Sequence, residues 1–131
     1  MLVLAGGDLV LPDRVLAGAS LIIDNGRIAT IEPTSRAAPS GATVINVPEC
    51  YLVPGFIDVH VHGLQGHDTL DEGEPVAEIA SRLPRYGVTA FCPTTVACGP
   101  RALRAVLAQV TKARAGRPPR SARVLPAHLE S

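Results

Sequence analysis

Asp58, His60 and His62 alternate along Phe56-Ile57-Asp58-Val59-His60-Val61-His62-Gly63, and this spacing is the first chemical signal in the sequence. Successive side chains of a β-strand point to opposite faces. The three polar residues therefore share one face, and Val59 and Val61 take the other. Two imidazoles separated by one residue can approach a single metal ion from adjacent positions, and neutral imidazole suits zinc, iron and similar ions. Asp58 sits one step deeper, where it can orient a ligand histidine from behind. A second group is Ala127-His128-Leu129-Glu130. His128 and Glu130 again share a side, and the Glu130 carboxylate can join the two imidazoles around an ion. An isolated His-x-His pair is more often surface or core histidine than a metal site. The context strengthens this one: it closes an apolar strand, follows Pro54-Gly55 and opens an alternating β/α series.

Other candidates are less specific. His67 and Asp68 lie in the loop after the first of these strands and would border a site there, although a solvated loop is the plainer description. Thr94 and Thr95 follow the second strand, where their hydroxyls serve equally well to contact a ligand or to cap a turn. Lys112 is the only lysine and falls late in a helix, a poor position for a lysine that bridges metals. The sequence has no Gly-rich phosphate loop, no G-x-S-x-G elbow and no H-E-x-x-H. Cys50, Cys92 and Cys98 are odd in number and match no zinc or redox spacing, so free thiols in a reducing compartment are expected.

The elements that must position these groups fall into two regions. Up to about residue 52 the chain reads as short strands: Leu2 to Leu4, Leu9 to Leu11, Ala19 to Ile23, Ile28 to Ile31 and Val44 to Val47. A turn is expected at Gly6-Gly7, and Asn25-Gly26 supplies the positive φ angles of a two-residue hairpin. Residues 33–42 read as an exposed loop. This all-β segment, residues 1–52, is too small to close a core alone.

From residue 53 strands and helices alternate. Phe56 to Val61 is a strand, and 74–86 a helix with Val76, Ile79, Ala80 and Leu83 on one face, which Pro84 should kink or end. Val88 to Cys92 is the second strand. Residues 100–115 form the clearest helix, opened by Pro100 and stopped by Gly116 and Pro118-Pro119. Arg123 to Leu129 is the third strand. The order β-α-β-α-β implies parallel strands with right-handed crossovers. Three parallel strands leave unpaired edges and an open face, so the sequence is expected to be part of a longer protein. In an eight-stranded parallel barrel the C-terminal strand ends form the active face, and alternate strands point into common layers. Strands one and three can then aim His60, His62 and Glu130 at one centre.

Composition narrows the function further. The 131 residues are 47% hydrophobic and 3% aromatic, with no Trp, which suits an aliphatic α/β core. Twelve basic residues balance 12 acidic ones, removing the simplest case for nucleic acid or an anionic membrane as partner. No apolar run is long enough to span a bilayer, and the opening residues lack the basic region of a signal peptide. A cytoplasmic location is expected.

The whole pattern resembles a known family. Val53-Pro54-Gly55-Phe56-Ile57-Asp58-Val59-His60-Val61-His62-Gly63 after a β-rich segment resembles the amidohydrolase superfamily. Gly87 to Thr95 and His128-Leu129-Glu130 are similar to later motifs of the N-acetylglucosamine-6-phosphate deacetylase family. The resemblance implies an α/β fold: the first three strands of a TIM-like (β/α)8 barrel, residues 53–131, preceded by part of a small β-sandwich domain. It implies a metal-dependent hydrolase removing the acetyl group from a small amino-sugar phosphate, with Glu130 as a metal ligand. It also implies one or two divalent ions, zinc or iron first among them, and homodimers. His60 and His62 match a pair that supports an additional ion in some members. The general acid–base aspartate is expected downstream, so no catalytic residue is assigned within this chain. Ser131 stands where the family usually has Gly, which leaves the substrate open. The alternatives are an amidohydrolase for a cyclic amide or another N-acyl substrate, or a non-catalytic β/α module.

Overall fold

A computed structural model describes residues 1–34 and 38–130. Within the expected loop at 33–42, positions 35–37 lie outside the described residues, as does Ser131. The chain is mixed α/β and divides into two compact units, Met1–Pro54 and Gly55–Ser131.

The first unit is one mixed sheet. Its strands are β1 (Leu2–Val10), β2 (Val15–Asp24), β3 (Arg27–Glu32), β4 (Thr43–Asn46) and β5 (Tyr51–Leu52). The order is β3-β2-β1-β4, with β5 also on β1. β1 runs antiparallel to β2 and parallel to β4 and β5. The sequence places a turn at Gly6-Gly7, but the structure carries one strand through it. Register shifts between Ala5 and Gly7 and between Gly7 and Leu9 absorb the irregularity, and Gly6 takes a φ of +80° there. The β2–β3 hairpin turns on Asn25 and Gly26, both at positive φ, as a two-residue primed turn requires. Val3, Leu9 and Ala19 are its buried apolar residues. The short strand β5 has no periodic signal in the sequence.

The second unit holds the candidate site. β6 (Phe56–Val61) is followed by a small hairpin, β7 (Gly63–Leu64) and β8 (His67–Asp68), where the sequence suggests only a loop. Then come α1 (Pro75–Arg82), a 3-10 turn (Leu83–Tyr86), β9 (Val88–Thr95), α2 (Pro100–Ala115), β10 (Arg123–Val124) and β11 (His128–Leu129). β9 pairs in parallel with β6, β10 and β11. The helix expected over 74–86 ends at Arg82, and Pro84 stands in the first turn of the 3-10 segment. The strand expected over Arg123 to Leu129 is instead two short pieces. Pro126 lies in the gap between them and has no N–H to give a ladder.

Both helices pack on one side of this sheet. Val76, Ile79, Ala80 and Leu83 join Val106 and Val110 against Val61, Val88, Phe91, Ala122 and Val124. Phe56, Ile57 and Val59 of β6 are exposed. No described helix is long and apolar enough to cross a membrane.

Candidate metal centre

β6 supplies the His60 imidazole, the residue after it supplies that of His62, and the residue after β11 supplies a carboxylate. His60 Nε2 and His62 Nε2 are 3.0 Å apart. Each is also 3.0 Å from Glu130 Oε2. Among the described residues these three side chains are the group able to offer one ligand atom each to a shared ion. Their side chains are 46%, 36% and 47% exposed.

The donor set fits a cation better than it fits hydrogen bonds. A neutral imidazole carries one N–H, and an ionised carboxylate only accepts. If both Nε2 atoms carry hydrogen they serve Glu130 but oppose each other across their own edge. If one carries it, the other Nε2 faces the carboxylate lone pair to lone pair. A cation satisfies all three lone pairs together. His60, His62 and Glu130 are the residues that would hold such an ion.

The residues around the triangle are held by local bonds. Asp58 does not reach a ligand ring; its Oδ1 accepts the His60 backbone N–H at 3.1 Å. His128 donates from Nδ1 to the Val59 carbonyl at 3.0 Å, and its ring stands edge-on to His60 with centroids 4.7 Å apart. Thr94 is fully buried. Its hydroxyl accepts the Val61 N–H at 3.0 Å and donates to the Cys92 carbonyl at 3.1 Å. Both of these partners are backbone groups, so the hydroxyl braces the chain at this point. Thr95 is also buried, beside Leu129 in the β9–β11 pairing. Asp68 accepts the Leu70 N–H at 2.8 Å and so closes its own turn. His67 is half-buried and close enough to Glu78 of α1 to favour that carboxylate's ionised form, after the larger effect of the Arg82 hydrogen bond and charge.

Two participants have no sequence signature. The Val59 carbonyl matters because of where His128 falls in space. The buried Thr69 donates its hydroxyl to the Thr94 carbonyl at 2.7 Å, and its backbone N–H bonds the His62 carbonyl at 2.8 Å. Nothing in the Asp68-Thr69-Leu70 run marks it out before the fold is known.

No family model matches the chain. Similarity to individual proteins is extensive. The chain is 36% identical over 129 residues to an N-acetylglucosamine-6-phosphate deacetylase of Rattus norvegicus, a match covering 89% of this chain and 31% of that protein. Its fold matches a solved N-acetylglucosamine-6-phosphate deacetylase from Thermotoga maritima with a TM-score of 0.76 at 28% identity, over 98% of this chain and 32% of the other. The deacetylase structure from Pasteurella multocida gives a TM-score of 0.84 at 21% identity, covering 98% and 34%. The chain thus spans about a third of the length of the relatives it matches.

Proposed function

We propose a function from the family to which the chain belongs, the N-acetylglucosamine-6-phosphate deacetylases of the amidohydrolase superfamily, of which it covers only a fragment. The whole protein hydrolyses the amide of N-acetylglucosamine 6-phosphate, giving acetate and glucosamine 6-phosphate in amino-sugar breakdown. The observation that carries this reading is the convergence of His60 Nε2, His62 Nε2 and Glu130 Oε2 at 3.0 Å spacings.

In this reading β6, β9 and the β10–β11 run are the first three strands of an eight-stranded barrel. The first unit is part of a small β-sandwich domain. Exposed Phe56, Ile57 and Val59 are then surfaces for further barrel elements to cover. His60, His62 and Glu130 hold a divalent ion, zinc or iron. When bound, such an ion supplies Lewis acidity toward an amide carbonyl and lowers the pKa of a water toward neutrality. The imidazoles contribute neutral lone pairs, and the carboxylate contributes the negative charge that favours a dication. The proton-carrying aspartate is not among the residues of this chain. His67 and Asp68 border the substrate side. Thr94, with its hydroxyl occupied, acts on the backbone rather than on substrate. Location in the cytoplasm and assembly as a homodimer follow from the family resemblance.

Acetate release by the full-length protein tests the reading. N-acetylglucosamine 6-phosphate should be turned over far faster than the unphosphorylated sugar, and a chelator should abolish turnover. The 131-residue chain alone should release no measurable acetate. Hydrolysis of a cyclic amide with none of the acetylated sugar phosphate would overturn the assignment.

A further inference from the structure

The β6–β9 ladder is interrupted beside the candidate ligands. Asp58 pairs with Phe91, and pairing resumes at Val61 with Pro93, so β6 uses three steps where β9 uses two. An extra residue in one strand is a bulge, which re-aims the side chains around it. Three backbone groups in the gap are satisfied by side chains instead of by the neighbouring strand. The His60 N–H bonds Asp58 Oδ1 at 3.1 Å, the Val61 N–H bonds Thr94 Oγ1 at 3.0 Å, and the Val59 carbonyl accepts from His128 Nδ1 at 3.0 Å.

We propose that this braced bulge turns His60 and His62 onto one point, and that His128 is the positioning residue that sets their distance from Glu130. The inference rests on His60, His62 and Glu130 sharing one ion. His128 lies two residues before Glu130, so its bond to Val59 ties the run that carries the carboxylate to the strand that carries the imidazoles. Its ring also stands at 74° against the His60 ring, limiting rotation of that ligand about its side-chain bonds. Donation from Nδ1 to a carbonyl fixes which nitrogen of His128 holds the hydrogen. Groups that orient metal ligands are worth about 10–100-fold in metal affinity.

The test uses the full-length protein and zinc, with affinity read by competition against a chromophoric chelator. His128→Phe keeps a ring against His60 but removes the donor; His128→Asn keeps a donor near the Nδ1 position. Zinc affinity should fall about 10–100-fold in H128F and recover most of that loss in H128N. Thr94→Val supplies a second arm if H128F does not fold, since it removes the acceptor for the Val61 N–H; its zinc affinity should also fall. Amide exchange at His60 and Val61, measured without metal, should quicken in H128F or in T94V. Wild-type affinity in these variants, or H128N falling as far as H128F, overturns the proposal. So does unchanged exchange at both amides. A separate control, His60→Ala, probes the underlying reading: undiminished zinc content there rejects the metal centre itself, while the exchange rates still judge the brace.

Discussion

At the scale of single residues, strand alternation is enough to put His60 and His62 on one side and to pair His128 with Glu130, because side-chain direction is set by the backbone. That is why the grouping of His60, His62 and Glu130 is legible in the sequence. Thr94 is not, because a hydroxyl's choice between backbone and ligand depends on which groups the fold leaves unpaired. Gly63 has a similar tertiary cause. A Cβ there would lie 2.3 Å from the His67 carbonyl oxygen, so the β7–β8 hairpin closes only on glycine. No rotamer can relieve a clash between Cβ and backbone. Gly63→Ala should therefore destabilise the protein by about 1–3 kcal/mol, read from chemical denaturation. Zinc affinity should drop with it, because the residue just before Gly63 in the chain is His62. Wild-type stability in this variant would show that the hairpin shifts freely.

At the scale of elements, local signals worked where they were strong and unopposed. The helix of 100–115 matches α2 residue for residue, since Pro100, the apolar face and Gly116 agree. The helix at 74–86 was overestimated because apolar spacing continues through Leu83 while Pro84 withdraws an N–H. The single third strand was overestimated for the same reason at Pro126. β1 was underestimated, because a Gly-Gly pair reads as a turn although a sheet can absorb it as a bulge. α1 and β9 contribute to the same apolar core. Ile79 is completely buried in that core. Ile79→Ala should cost about 2–5 kcal/mol, measured by urea denaturation of the full-length protein. A loss below about 1 kcal/mol would mean that the site can collapse around the missing atoms.

At the scale of the whole molecule, the 131 residues carry no net charge. What the fold achieves is long-range convergence. Residues 60 and 62 meet residue 130 within 3.0 Å, although nearly seventy positions of chain lie between them. β9 makes this possible by pairing with both the strand of the imidazoles and the strand before the carboxylate. Sequence alone places these groups on or beside strands but does not give their separation, which is set by tertiary structure. The most direct measurement is an anomalous-scattering map from crystals of the full-length protein grown with zinc. The expected result is a peak about 2.0–2.2 Å from His60 Nε2, His62 Nε2 and a Glu130 carboxylate oxygen. Zinc bound elsewhere, with these three side chains uncoordinated, would contradict it.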